Sequence, residues 1–300
     1  MLAKVVRWGL LIVVYTVGVV STAEGQASAI HDNNVVSQRQ IQARKYLQQA
    51  NKLVEAQHYA EAVPVYQKAL ILEPNLASAQ NNLGHAYTQL ARFQEAVSCL
   101  ERAVDLEPTN PVFRHNLGNT YLQFQSLDKA IEQLTKAIEL RHDFPQAYND
   151  LGNAYLEQLQ YERAIGLFQR AIALRPDFST AYNNLGTAYD ELNRFGDARV
   201  EFNKGLAISA NSFELRFNLG AAEFSLNRFK KAVESFKAAL RIRPDDPRTH
   251  YNLGIAFLGL KDRDASLQQY SLLKNSNSEL ATKLYEAIYA RHLVIVGPRR

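Results

Sequence analysis

Apolar and polar residues along this chain follow a helical rhythm. In "YNDLGNAYLEQLQYERAIGLFQRAIALRPDF", Tyr148 to Phe178, large and small apolar residues return at intervals of three and four. That spacing places them on one face of a helix. A short polar break near Gln158 separates a first helical stretch from a second, and Pro176 closes the second, since proline clashes with a continuing helical backbone. The segment therefore predicts two amphipathic helices joined by a tight turn.

The same pair recurs. Gly84, Gly118, Gly152, Gly186, Gly220 and Gly254 stand 34 residues apart, each preceded by leucine, Leu83 to Leu253. Three residues past the glycine come Tyr87, Tyr121, Tyr155, Tyr189 and Phe257. Ala62, Ala96, Ala130, Ala164, Ala198 and Ala232 share one register, and Pro74, Pro108, Pro176 and Pro244 another. A fixed period of this size means an array of helix pairs that bury their apolar faces by stacking. With Ala77 as position 1 of its repeat, positions 4, 7, 8 and 11 form the buried face of the first helix. Positions 17, 20, 24 and 27 form that of the second. Glycine at 8 and alanine at 20 allow close approach, while large residues at 7, 11 and 24 fill the space around it.

This pattern, L-G-x-x-Y followed by alanine, a large apolar residue, alanine and proline, resembles the tetratricopeptide repeat. The resemblance covers seven repeats: 43–76, 77–110, 111–144, 145–178, 179–212, 213–246 and 247–280. It implies an all-α fold, a right-handed superhelical solenoid of helix-turn-helix units. A solenoid domain over 38–291 is expected, closed by a cap helix over 277–291 in which Leu280, Leu284, Tyr285 and Ile288 share a face. A tail, 292–300, follows. Departures cluster at the ends, as expected where a repeat meets water or a cap: Gln49 and Ala50 replace Leu-Gly in the first repeat, and Ser266 and Ser278 replace alanine and proline in the seventh. Inside the array, His142 replaces proline, Glu223 replaces tyrosine, and Gly205 and Ala210 replace alanine and proline in the fifth repeat. Because glycine weakens a helix by about 1 kcal/mol relative to alanine, the fifth-to-sixth junction is expected to open first.

The resemblance also implies that positions 2, 5, 6, 9, 12 and 13 of the first helices line a concave groove. Position 6 holds Gln48, Asn82, Asn116, Asp150, Asn184, Asn218 and Asn252, and position 9 includes His85, Asn119 and Asn153. Each carboxamide offers two donors and an acceptor, which suits a peptide backbone whatever its side chains. Asn82, Asn116, Asn119, Asp150, Asn153, Asn184, Asn218 and Asn252 are thus the candidate contacts for a bound peptide or protein. The groove reads as acidic in its middle (Asp150, Glu157, Asp190, Glu191) and apolar at its far end (Phe217, Ala221, Phe224, Tyr251, Ile255). A two-carboxylate clamp for a partner's C-terminus is not expected: position 2 holds Ser78, Val112, Gln146 and Thr180, and the arginines Arg44 and Arg248 lie at opposite ends.

The first residues have a different pattern. Lys4 and Arg7 precede an apolar run, Trp8 to Val20, then Ser21-Thr22-Ala23. This is the shape of a secretory signal peptide over 1–23, or of a signal anchor through residues 5–20, although a span ordinarily needs about 20 apolar residues. The array is accordingly expected outside the cytoplasm, periplasmic or extracellular, after a polar linker over 24–37. A net charge of +4 is spread along the chain without a basic face, so no nucleic-acid partner is expected. Hydrolase, metalloprotease and phosphate-loop motifs are absent. His85 and His115 on neighbouring first helices lack a third ligand for a metal, and read as solvated groove histidines. Cys99 is the single cysteine, expected to be a small buried thiol. No enzyme activity, cofactor or small-molecule substrate is expected. The sequence reading is a scaffold that binds protein or peptide in its groove, with an accessory subunit of an envelope enzyme complex, or a self-associating structural protein, as alternatives.

Overall fold

The computed structural model describes residues 37–290, and the expectations for 1–23, most of the linker and the tail lie outside them. Among the described residues every regular element is a helix. Helix α1 covers residues 37–55. Then follow α2 (Tyr59–Leu72), α3 (Ala77–Gln89), α4 (Phe93–Leu106), α5 (Pro111–Gln123), α6 (Leu127–Leu140), α7 (Pro145–Glu157) and α8 (Tyr161–Leu174). The series continues with α9 (Ser179–Glu191), α10 (Phe195–Ile208), α11 (Phe213–Ser225), α12 (Phe229–Leu240), α13 (Pro247–Gly259), α14 (Arg263–Ser276) and α15 (Ser278–Ala290). Odd-numbered helices through α13 are the first helices of the seven repeats and even-numbered ones the second. The chain forms two compact units, divided between Thr120 and Tyr121 inside α5.

Each first helix ends in the same way. Gln57, Ala91, Gln125, Leu159, Asn193, Asn227 and Lys261, all at position 15, have φ between 56° and 63°. The next residue's N–H then reaches back to the carbonyl at position 11, as in Arg92 to Tyr87 (2.9 Å), Gln160 to Tyr155 (2.8 Å) and Asp262 to Phe257 (2.9 Å). This is a Schellman closure, which usually uses glycine because a left-handed residue with a Cβ is strained. Here none of the seven is glycine, and only the two asparagines belong to a residue type that visits this region readily.

The second helices end at position 30, one residue before an extended C-cap such as Glu73 (φ −138°, ψ 84°). Arg141, Ser209 and Asn277 take the same extended cap although His142, Ala210 and Ser278 follow instead of proline. Proline therefore matches this ending without being needed for it. The exception is α12, which stops two residues early at Leu240, with Arg241 still in helical conformation as its cap.

The glycines at position 8 are contact points. A Cβ on Gly152 would stand 2.6 Å from the Phe168 ring, and one on Gly220 2.6 Å from Phe236. Gly84 meets Leu100 in the same way, and Gly186 meets Phe202. Each glycine lets the large residue at position 24 fill the space between the paired helices, and Leu100, Phe168, Phe202 and Phe236 are almost completely buried. Gly254 faces Leu284 of α15 instead. The last helix thus packs against the seventh repeat, with Leu280, Ala281, Leu284, Ala287 and Ile288 buried beside Tyr251, Ile255 and Leu273. Tyr285, expected on the same face, is 45% exposed and stacks with Tyr270 and Tyr289 instead.

Gly205 has a packing cause. Leu215 occupies position 3 of the sixth repeat, where Ala79, Ala147 and Ala181 stand elsewhere, and its methyls lie 2.8 Å from where a Gly205 Cβ would be. The glycine makes room for a larger neighbour, which is 2% exposed. Glu223 is 6% exposed, and its Oε2 has no hydrogen bond. Where Arg92 and Arg194 stack on Tyr87 (4.5 Å) and Tyr189 (4.4 Å), Arg228 lies 3.7 Å from the Glu223 carboxylate.

Candidate functional site

The asparagine row bonds chiefly to itself. In the unit that ends at Thr120, Tyr66 Oη and Asn82 Nδ2 both donate to Asn51 Oδ1 (2.8 and 2.9 Å). Asn81 Nδ2 donates to Asn82 Oδ1 (2.9 Å), and Asn116 Nδ2 to Asn81 Oδ1 (2.9 Å). Burial pushes the Tyr66 hydroxyl up to about 12, so it remains a donor at neutral pH. In the other unit Asn218 Nδ2 donates to Asn183 Oδ1 (3.0 Å), and Asn183 Nδ2 to Asn184 Oδ1 (3.4 Å). Asn184 Nδ2 lies within bonding distance of both Asn149 Oδ1 (3.0 Å) and Asn153 Oδ1 (2.9 Å), and Asn149 Nδ2 donates to the Asp150 carboxylate (3.1 Å). Each ladder ties position 6 of one repeat to positions 5 and 9 of the repeat before. Such chains of amides polarise one another and are costly to break when buried.

The predicted contacts therefore separate. Asn82, Asn116, Asn153 and Asn184 are half-buried members of the ladders. Asn119 and Asp150 are half-buried on the same helices. Asn218 is 7% exposed and Asn252 is fully enclosed, so Asn252 has no surface to offer a ligand. The apolar end of the groove is corrected too. Tyr251 and Ile255 are buried beneath α15, because the cap helix takes the place an eighth repeat would occupy, and Ala221 is 5% exposed, whereas Phe217, though 2% exposed, still lines a cavity of the groove. His85 is half-buried rather than solvated. It packs edge-on against Tyr59 with ring centres 6.2 Å apart, and burial lowers its pKa. Cys99 is half-buried, and burial with nearby Glu95 pushes its thiol up to about 11. Among the described residues no group of three or more His, Cys, Asp and Glu side chains is placed to hold a metal, and no helix is long and apolar enough to cross a membrane.

A cavity of about 350 Å³ opens on the first helices of the fourth to seventh repeats. Apart from Phe213 and Arg243, its lining comes from positions 2, 5, 6, 9, 12 and 13, the positions assigned to the groove. Asn183, Asn184, Asn218 and Thr187 supply its polar wall, and Leu156 and Phe213 its apolar one. Glu157 and Glu191, the last residues of α7 and α9, stand on one edge. Glu214, Arg243 and Arg248 stand at the opposite helix ends. Arg243 pairs with Glu214 (2.6 Å) and lies over the Phe213 ring at 4.2 Å. It escaped the sequence reading because position 31, in the turn after α12, is not among the positions assigned to the groove. Next to Glu191, Asp190 is pushed up to about 6, mainly by burial and then by Glu191, and its Oδ1 is buried without a hydrogen bond.

Stacked helix pairs of this geometry define a class of interaction scaffold. The chain belongs to the tetratricopeptide repeat family. A family model described as "TPR repeat" matches residues 50–90, 123–158 and 220–261, and three described as "Tetratricopeptide repeat" match 77–110, 99–132 and 149–213. Membership supports a role in protein interaction. A chain of the APC/C hetero-tetramer Cut9-Hcn1 superposes with a TM-score of 0.66 at 22% identity over 75% of this chain. This chain spans only 44% of that one. PilF of Pseudomonas aeruginosa gives a TM-score of 0.64 at 20% identity, over 72% of this chain and 97% of PilF. YrrB, described as a TPR protein with an unusual peptide-binding site, gives 0.54 at 20% identity over 63% and 99%. These likenesses are of fold. No curated protein sequence matches the chain.

Proposed function

We propose that the chain is a non-catalytic scaffold outside the cytoplasm, holding an extended peptide or a partner protein on the face of its first helices. The observation that carries this reading is the cavity over α7, α9, α11 and α13, which joins carboxamides to aromatic surface and charges of both signs. Such a mixture of apolar area and a few directed polar groups suits peptide recognition. Export rests on the sequence pattern of residues 1–23.

The test is a crosslinking pull-down with the full chain from soluble and envelope fractions of the cells that make it. Ladder asparagines are unsuitable as probes, because changing them disturbs stacking. Thr187→Arg fills the cavity from position 9, and Glu101→Arg on a second helix serves as control. A partner held by the native chain and by Glu101→Arg, but lost with Thr187→Arg at unchanged helicity, supports the reading. A partner retained by all three overturns it, and recovery of the chain from the cytoplasm alone overturns the export.

A second reading, self-association, is favoured by the adjoining rings of Tyr285 and Tyr289, 45% and 55% exposed with centres 4.5 Å apart. Concentration-dependent mass in light scattering decides it.

A further inference from the structure

The cavity has an electrical polarity across its width. First helices of 13 residues are about 20 Å long. The ladder contacts, position 6 against positions 5 and 9 of the preceding repeat, set neighbouring first helices side by side in register. Their C-terminal ends therefore form one edge, with Glu157 and Glu191, and their N-terminal ends the other, with Glu214, Arg243 and Arg248. On that second edge Glu214 and Arg243 neutralise each other at 2.6 Å.

Arg248 is different. Its side chain is 22% exposed, and its guanidinium lies 5.4 Å from the Phe217 ring centre. It forms a long ion pair with Asp246, whose carboxylate is 3.9 Å from Nε, but no hydrogen bond to it. Asp246 is already committed to the N-cap of α13, where Oδ1 accepts from Thr249 N (2.8 Å) and Thr249 Oγ1 (2.5 Å). Arg248 Nη1 is buried with no hydrogen-bond partner among the described residues. What a ligand can reach is the exposed part of the guanidinium, and a carboxylate is the acceptor that binds it best.

An extended peptide sends successive side chains to opposite sides. One running along the row of first helices points alternate residues at the two edges. We propose that this cavity selects an extended peptide segment in which an acidic side chain lies next to a basic one. The acidic side chain meets Arg248 and the basic one meets Glu157 and Glu191, while flanking apolar side chains rest on Leu156 and Phe213. This rests on the groove reading above and adds to it the chemistry of the ligand. The acidic group is an internal side chain, since Arg243 is paired with Glu214 and Arg248 alone does not make the cation pair that a two-carboxylate chain end needs.

The probe is the blocked peptide acetyl-Gly-Ser-Leu-Glu-Lys-Leu-Ser-Gly-amide, titrated calorimetrically into the full chain. Companion peptides carry Gln for Glu, Gln for Lys, or both. The doubly charged peptide is expected to bind about tenfold more tightly than either singly neutralised form, the range of a charge-assisted hydrogen bond. Arg248→Gln is expected to weaken the Glu-containing peptides about tenfold and leave the Gln-for-Glu peptide unchanged. Glu191→Gln is expected to act the same way on Lys. This crossed pattern separates contact from a general loss of structure, which would weaken all four alike. Equal binding of the four peptides overturns the polarity and leaves the groove reading standing. Absence of binding by any of the four overturns the proposal, while the Thr187→Arg pull-down decides the groove reading separately.

Discussion

Asn184 Nδ2 faces two acceptors on the preceding repeat, Asn149 Oδ1 at 3.0 Å and Asn153 Oδ1 at 2.9 Å. One amide thus fastens α9 to α7 at two points a helical turn apart. Asn149 is 4% exposed, so water has little access to the acceptor Asn184 would abandon. Asn184→Ala is expected to destabilise the chain by about 1–2 kcal/mol. Asn184→Asp is expected to cost more at neutral pH, because a carboxylate cannot donate to either oxygen. Urea denaturation of both variants checks the order, and an Asp variant as stable as the native chain refutes the ladder.

Gly152 tests the helix-pair contact. Even a methyl group there would stand 2.6 Å from Phe168, a side chain with no exposed surface and no free direction to yield. Gly152→Ala is expected to lower stability by about 1–3 kcal/mol despite the better helix propensity of alanine. Gly166, on the second helix of the same repeat, has nothing within 4 Å of its would-be Cβ. Gly166→Ala is expected to stabilise by about 0.5–1 kcal/mol. Opposite shifts in thermal midpoint are the result that supports the assignment.

Leu159 holds φ at 61° with 58% of its surface exposed. It bears the steric cost of a left-handed residue with little burial in return. Leu159→Gly is expected to raise stability by about 1 kcal/mol, the strain of a Cβ in that region less the entropy glycine loses. Thermal melting measures it directly, and a fall would mean that Leu159 contributes contacts exceeding the strain.

Asp190 makes stability fall as pH rises. Its folded carboxyl, at about 6, holds its proton more firmly than an unfolded one near 3.8. Between those values the native state binds the extra proton, so stability is greater near pH 4 and declines until about pH 6. Asp190→Asn is expected to remove this slope and to stabilise by about 1–2 kcal/mol at pH 7. Stability curves from pH 4 to 8 for both proteins decide it; identical slopes would show that Asp190 is solvated.

The period, the Gly-to-large contact and the cap helix were readable because each leaves a residue-type signature: small against large at fixed spacing, and Leu280, Leu284 and Ile288 on one face. Three features were not. The left-handed residue at position 15 is Gln, Ala, Leu, Asn or Lys, and most of these carry no preference for that conformation. Asn82, Asn116 and Asn184 read as free donors for a ligand, because spacing places them on a face without showing that a neighbouring amide takes the bond. Arg243 was invisible as a site residue because it lies at position 31, in the turn after α12, outside the six positions read as groove-lining.

The ladder has a consequence for how a gene for such a protein can change length. Every amide bond joins a residue to one lying 31 or 35 positions away, or to its immediate neighbour, and the Tyr66 contact spans 15. Inserting or removing one complete repeat inside a ladder leaves each surviving partner facing an equivalent one. A few extra codons within a first helix turn the amides downstream away from their acceptors. Growth by whole duplications is thus tolerated where small insertions are not, and the chain can lengthen its inner face without redesigning any contact.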